Sequence, residues 1–143
     1  MRPDFPLPDM EWEPTRPFWS AAQRHQLQIP RCDGCGRYQW YPRKTCRDCE
    51  GSASTWTSVS GRASLFSWVV VTHAFLPQFR GKVPFVSALV AIEEDPAVRL
   101  ATEIVDSTPE DLAFDMPVRV VFRPIAFTGV EGTVTAPLFA PMS

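Results

Sequence analysis

The spacing of the cysteines limits the fold of this chain more than any other feature of its sequence. All four lie between positions 32 and 49, in two Cys-x-x-Cys pairs: Cys32 with Cys35 and Cys46 with Cys49. Two intervening residues allow both thiolates of a pair to reach one ion, and two pairs complete a tetrahedral site with metal–sulfur distances of about 2.3 Å. Such a site has no open coordination position, so the spacing predicts a structural Zn²⁺ ion in a zinc ribbon. A rubredoxin-like iron centre and a dithiol switch are the alternatives.

The size and charge of the chain exclude several classes of function. With 143 residues it is too short for a doubly wound or barrel enzyme, and a net charge of −2 gives no general attraction for nucleic acid or acidic membranes. No apolar run approaches the roughly 20 residues that a membrane span needs. Residues 1–9 do not resemble a signal peptide, so we expect a cytoplasmic protein whose cysteines bind metal rather than form disulfides.

Composition divides the chain into three predicted segments. Residues 1–30 form a proline-rich arm and a short helix, and residues 31–53 form the zinc ribbon. Residues 54–143 show short strand patterns separated by turns and form an OB-fold domain with a C-terminal tail. The predicted fold class is therefore mainly β: an N-terminal helix, a four-cysteine zinc ribbon and then a five-stranded OB-fold barrel.

The individual elements follow from local patterns. Thr15 offers an N-cap and Pro30 a stop, with an apolar edge between them, which predicts a helix over about 16–27. A capped helical turn is predicted over 107–112. Aromatic and β-branched runs predict five barrel strands at 65–72, 85–92, 99–105, 118–122 and 133–139.

Two further features suggest contacts with another molecule. The loop 72–85 is unusually apolar, which is typical of a partner or ligand surface, and its Arg80 and Lys82 either hold a phosphate or keep the loop soluble. His73 has no nucleophile or carboxylate at motif spacing, so a hydrogen-bonded role at a strand end explains it better than catalysis. Basic ribbon residues such as Arg43 alternate with aromatics and would suit phosphates, although packing of the aromatics within the ribbon is the interpretation that the residues favour.

The order of these parts resembles the "domain of unknown function 35" family, which are OB-fold proteins with a rubredoxin-like zinc ribbon. The likeness extends over about residues 11–140 and includes one departure, Arg47, where a proline is common after the third cysteine; we do not expect it to affect ligation. The most specific matching motifs are Phe18-Trp19, Ile29-Pro30-Arg31-Cys32-Asp33-Gly34-Cys35-Gly36, Tyr41-Pro42-Arg43, and the segments 60–68, 84–90, 109–112 and 116–118.

The resemblance implies a non-catalytic accessory subunit of a thiolase-superfamily enzyme that acts on acyl-CoA, either an aldolase or retro-aldolase or an acyltransferase. Steroid side-chain degradation is one setting that it implies. The small subunit would support the fold of its partner and the acyl-CoA channel, with acyl-CoA at the shared interface. The expected contacts with the partner or with acyl-CoA are Phe18, Trp19, Arg43, His73, Phe75, Phe79, Arg80 and Lys82.

A single-stranded nucleic-acid-binding module is the alternative, because zinc ribbons and OB barrels both serve that role. It requires basic residues along the barrel. From Trp56 onward, however, the chain has six basic residues against nine acidic ones, so nucleic acid is the less favoured partner.

Overall fold

The computed structural model describes residues 2–142, which contain one α-helix, two 3-10 turns and seven strands. None of the helices in this range has the length and apolarity needed to cross a membrane. The elements are α1 (Arg16–Gln23), β1 (Gln28–Cys32), β2 (Ser54–Ser58), β3 (Arg62–Val71), a 3-10 turn (Pro77–Phe79), β4 (Phe85–Ile92), β5 (Arg99–Ile104), a 3-10 turn (Pro109–Asp111), β6 (Pro117–Ile125) and β7 (Val134–Pro141).

The barrel has the predicted five strands. Its order is β3-β4-β5-β7-β6, and β6 closes back onto β3. All pairs are antiparallel except β5 with β7, which meet in parallel at Ile104 and Phe139. Closure is narrow, because β6 pairs with β3 only at residues 62–64. This arrangement confirms the mainly β fold with an OB-type barrel.

A second, two-stranded sheet lies at the base of the cysteine region, and the sequence did not predict it. β1 and β2 pair antiparallel, with Gln28 opposite Ser58 and Cys32 opposite Ser54. β1 leads into the first cysteine pair and β2 leads away from the second, so the sheet joins the two ends of the ribbon. Pro30 lies inside β1, where a proline is unfavourable unless the strand is at a sheet edge, and for this reason the strand was missed.

One apolar core connects the barrel, the helix and the ribbon sheet. Its barrel part includes Leu65, Val118 and Phe139, each at most 1% exposed. Phe18 of α1 and Ile29 of β1 belong to the same buried cluster. The helix and the ribbon are therefore packed on the barrel by side chains of a shared interior.

The helix ends at Gln23, four residues before the predicted end. His25 adopts the left-handed conformation with φ of 59°, and the N–H of Gln26 then donates to the carbonyl of Ala21 at 2.9 Å. Leu27 is buried outside the helix, which explains why the apolar pattern extended too far. At the other end, Thr15 takes the N-cap position as predicted, but its side chain makes no capping hydrogen bond.

Candidate metal centre and partner surface

The two cysteine pairs form turns of the same design. Gly36 donates its N–H to the carbonyl of Cys32, and Glu50 donates its N–H to the carbonyl of Cys46, both at 2.9 Å. Both donors are left-handed, with φ of 77° at Gly36 and 63° at Glu50. Glycine adopts this conformation without strain, whereas glutamate is uncommon there. The repeated turn presents two thiols from each half of the ribbon to a common point.

The four sulfur atoms fit a tetrahedral metal ion. Cys32 Sγ lies 3.5 Å from Cys49 Sγ, Cys35 Sγ lies 3.7 Å from Cys46 Sγ, and all four lie within 4.8 Å of one another. A tetrahedron with metal–sulfur bonds of about 2.3 Å has edges of about 3.8 Å. Cys32 and Cys46 are buried and the other two are exposed, so the centre lies at the edge of the ribbon. Four thiolates leave no position for a substrate, which is the arrangement of a structural site.

Gln39 lies next to this centre and was not identified from the sequence. It is 5% exposed, and its Nε2 donates to Cys46 Sγ at 2.7 Å. Its backbone N–H donates to the carbonyl of Pro30, which fixes it against β1, while its buried Oε1 has no hydrogen-bond partner among residues 2–142. Outer contacts of this kind orient metal ligands. The sequence around Gln39 carries no motif that could have indicated this role.

The thiols differ in acidity. Burial opposes ionisation of Cys46, but hydrogen bonds from the N–H groups of Asp48 and Cys49 and from other thiols outweigh it and lower the pKa of Cys46 to about 6. The Gly51 N–H favours the thiolate of Cys49, but its thiol neighbours and burial raise the pKa of Cys49 to about 12. Cys46 therefore ionises before Cys49, and metal binding by the thiolates of both must release protons.

Arg43 lies beside the metal centre in a groove of about 310 Å³. Arg43 and the adjacent Lys44 are exposed and form no ion pair with the described residues. Trp56 and Pro42 line the same groove, as does one acidic residue, Glu13. Two free cations over an apolar wall suit a ligand that carries both phosphate and apolar groups.

The loop between β3 and β4 forms an apolar surface. Phe75 is 87% exposed and its ring lies 4.6 Å from that of His73, edge to face. Phe79 is half-buried between Phe85 and Phe127, at ring distances of 6.2 and 5.2 Å. This packing leaves an open groove of about 200 Å³, here called the loop groove, which is lined by Val71, His73, Phe75, Leu76, Phe79 and Phe85.

The loop is held against the connection between β6 and β7. The hydroxyl of Thr128 donates to the carbonyl of Arg80 at 2.6 Å, and the Lys82 ammonium lies 4.8 Å from the centre of the Phe127 ring. The loop is thus anchored although its apolar side chains are exposed. Among the residues described, the side chains of His73, Arg80 and Lys82 form no hydrogen bond or ion pair with a nucleophile or a carboxylate.

The eight predicted contact residues do not gather in one place. Phe18 is 8% exposed and packs on Trp40 at a ring distance of 4.7 Å, so it presents little surface to a partner. Trp19 is half-buried in a groove of about 260 Å³ that Trp12 and Tyr41 also line. Arg43 lies in the groove beside the metal centre, and the remaining five belong to the loop that follows β3.

Exposed apolar residues also continue along β3 itself. Val69 is 62% exposed and Phe66 is 40% exposed, and Leu89 on the paired strand is 37% exposed. The apolar surface therefore extends from the loop groove down the outside of the β3–β4 hairpin. The largely apolar run 65–71 of β3 looks the same in sequence whether both of its faces are buried or one is exposed.

Comparison with known proteins identifies the family. Two family models match the chain: the ChsH2 rubredoxin-like zinc ribbon domain over residues 19–55 and the ChsH2 C-terminal OB-fold domain over residues 56–123. A DUF35 domain-containing scaffold protein of Methanocaldococcus jannaschii is 32% identical over 121 residues, which cover 84% of this chain and 84% of the relative. This chain belongs to the DUF35 family. A second DUF35 domain-containing scaffold protein, from Methanothermobacter thermautotrophicus, is 27% identical and covers 88% of this chain and 93% of that relative.

Solved structures agree with this assignment. A chain of the Ltp2-ChsH2(DUF35) aldolase is 26% identical to this DUF35 protein and superposes with a TM-score of 0.78, covering 94% of this chain and 98% of the other. A DUF35 protein of unknown function from Sulfolobus solfataricus is 14% identical, with a TM-score of 0.58 over 76% of this chain and 78% of the other, and supports the fold alone. The resemblance seen in the sequence is therefore confirmed at the level of family and fold.

Proposed function

We propose that this DUF35 protein is a non-catalytic accessory subunit of a thiolase-superfamily enzyme that acts on acyl-CoA in the cytoplasm. The partner would carry out the carbon–carbon bond chemistry, as an aldolase or retro-aldolase or as an acyltransferase. The likeness to a chain of the Ltp2-ChsH2(DUF35) aldolase supports the aldolase reading, with steroid side-chain degradation as one candidate setting. The scaffold names of both archaeal relatives support a structural role.

The observation that carries this proposal is the apolar surface of the β3–β4 hairpin and its loop. Phe75 at 87% exposure and Val69 at 62% exposure belong to it, as does the loop groove, which Phe75 and Phe85 line. Monomeric proteins rarely expose connected apolar patches of this kind, and such patches mark interaction sites. A stable heteromeric interface would bury on the order of 1,600 Å² in total, so the hairpin would form its centre rather than the whole of it.

The four-cysteine centre and the groove that contains Arg43 and Lys44 have supporting roles in this proposal. A zinc ion held by Cys32, Cys35, Cys46 and Cys49 would fix the ribbon and supply no chemistry to the reaction. Arg43 and Lys44 would then contact the phosphates of acyl-CoA where the ribbon meets the partner. The acidic balance of the barrel disfavours the alternative of single-stranded nucleic acid.

The surface can be tested by charge substitution in the full chain. In a pull-down, the tagged chain is expected to recover a thiolase-superfamily enzyme in near-equal amount. Phe75→Asp is expected to reduce this recovery by at least about tenfold, because the substitution buries a charge in an apolar contact. Ala97→Asp is the matched control, since Ala97 is exposed beyond the opposite end of β4. Equal recovery with both variants would rule out the loop as the contact, and the absence of an enzyme partner would rule out the accessory role.

A further inference from the structure

We propose that the free edge of β3, at residues 67–71, is completed by an extended segment of the partner enzyme, which adds a strand to the barrel. This inference rests on the proposed function for the identity of the partner. It goes beyond that function by assigning how the two chains join, namely by backbone hydrogen bonds along one strand.

The hydrogen bonds of the structure show that this edge is open. β6 pairs with β3 only at residues 62–64, and the next residue, Leu65, bonds to Asp115 and Met116. Beyond Leu65, the described residues that pair with β3 all belong to β4. The five-stranded barrel is thus closed at one end of β3 and unpaired along the other.

The register identifies which backbone groups are free. The N–H of Leu65 points away from β4 toward Met116, and its carbonyl points the same way toward Asp115. Leu65 and its partner Val90 therefore form a non-hydrogen-bonded pair, and the backbone N–H and carbonyl of Val90 point away from β3. Hydrogen-bonded and non-hydrogen-bonded pairs alternate along β4. Trp68 and Val70, which lie opposite Ala88 and Val86, are therefore in non-hydrogen-bonded pairs and direct their backbone groups to the open edge.

Phe114 packs on Trp68 at a ring distance of 4.9 Å, but the side chains of this edge otherwise lack the usual protection. Residues 66–71 read Phe-Ser-Trp-Val-Val-Val, with no charge and no proline. Val69 is 62% exposed and Val70 is 39% exposed. Natural edge strands are blunted by lysine, proline or a covering element, because an open apolar edge pairs with other chains. Residues 67–71 therefore form a docking edge about 17 Å long at about 3.3 Å per residue.

The chemistry of the edge specifies its occupant. Unpaired N–H and carbonyl groups require an extended backbone, and the uncharged surroundings require apolar or β-branched side chains on it. The edge leads at Val71 into the loop groove, so one side chain at the end of the incoming segment would be seated against Phe75 and Leu76. The edge adjoins the loop groove, which the proposed function assigns to the contact with the enzyme, so the incoming segment belongs to the enzyme rather than to a second copy.

The test compares Val70→Pro with Val70→Ala in the full chain. Proline at residue 70 removes an N–H that faces the open edge and leaves the β4 ladder intact, whereas alanine removes the same side chain but keeps the N–H. We expect Val70→Pro to weaken binding of the captured enzyme by about tenfold or more relative to Val70→Ala, since a hydrogen bond is lost and the incoming strand is displaced. Unchanged thermal unfolding of the two free variants shows that both are folded.

Hydrogen exchange in the wild-type complex provides a second measurement. The amides of Trp68 and Val70 are expected to exchange at least about tenfold more slowly with the enzyme bound than in the free chain. Binding of the enzyme without this protection, or with equal affinity for the two Val70 variants, would overturn strand addition while leaving the accessory role intact. Protection that appears in the free chain with dimer formation would assign the edge to a second copy instead, and failure to capture an enzyme would overturn both proposals.

Discussion

The ribbon and the barrel of this DUF35 protein are stabilised in different ways. Between residues 31 and 53 the buried side chains are two metal-directed cysteines, Cys32 and Cys46, and one amide, Gln39. The barrel instead buries a continuous apolar set that includes Leu65, Val90, Ile92, Val118 and Phe139. Apolar burial holds a barrel together without a ligand, whereas a unit as small as the ribbon derives its folding energy from metal binding. One chain thus combines a metal-dependent part with a metal-independent one.

The largest expected effect is unfolding of the ribbon while the barrel stays folded. Cys46→Ser should lose most of the bound metal and unfold the ribbon, because metal binding to such sites contributes about 10 kcal/mol or more of folding energy. Hydrogen exchange should show residues 33–53 unprotected and the β4–β5 ladder still protected. Chelation of the metal from the wild type serves as the matched control and should give the same pattern. A variant with stoichiometric metal and unchanged exchange would show that the ribbon does not depend on the four-cysteine site.

A substitution in the barrel core should destabilise the barrel and leave the metal centre intact. Leu65 is fully buried, so Leu65→Ala should lower the free energy of unfolding of the barrel by about 2–5 kcal/mol, through lost burial and the cavity that remains. Metal content, measured on the folded protein, should stay stoichiometric. Loss of metal from folded Leu65→Ala would mean that the ribbon and barrel are one cooperative unit rather than two differently stabilised ones.

Gln39 tests how the ribbon controls its metal. Gln39→Met keeps the volume of the side chain but removes the N–H donor to Cys46 Sγ, and should weaken metal affinity by about 10–100-fold. Competition with a metal chelator measures this change directly. Gln26→Met, at an exposed position before β1, is the control. Equal metal affinity in the two variants would show that the hydrogen bond has no effect on the centre.

The smallest expected effect concerns the contact between the two parts. Arg37 of the ribbon pairs with Asp95, which follows β4, at 3.1 Å from Nε to Oδ2. Arg37→Gln should cost about 0.2–1 kcal/mol, since the arginine is half exposed, and should increase proteolysis of the ribbon slightly. Arg123→Gln breaks an ion pair with Asp106 within the barrel region and should leave ribbon proteolysis unchanged. Identical ribbon proteolysis in both variants would exclude Arg37 as a link between the parts.

The success of sequence reasoning follows the range of the interactions involved. The metal centre was predicted because a Cys-x-x-Cys turn is set by adjacent residues, and the barrel strands because their patterns are local. The C-terminal end of α1 and the strand β1 were not predicted, since a left-handed His25 and a proline inside a strand depend on tertiary packing. Gln39 was missed because its hydrogen bond to Cys46 depends on how the ribbon folds, and no sequence motif indicates that contact.

The exposed hairpin illustrates a second limit. Apolar residues in β3 and its loop were expected to face a partner only in the loop, but the structure extends that exposure to Val69 and Val70. The free edge of β3 could not be read from the sequence, because it results from β6 pairing with residues 62–64 alone. The pairing of β3 with β6 joins residues that are more than 50 positions apart in the chain, so it depends on the fold of the whole barrel.

Reconstitution tests the central claim that this DUF35 protein acts through a partner. The captured enzyme and the purified chain would be assayed separately and together for carbon–carbon bond cleavage or formation on acyl-CoA esters. We expect no turnover by the chain alone, weak or no turnover by the enzyme alone, and full turnover when the two are mixed in equal amounts. Turnover by the chain alone, or full turnover by the enzyme without it, would contradict this account.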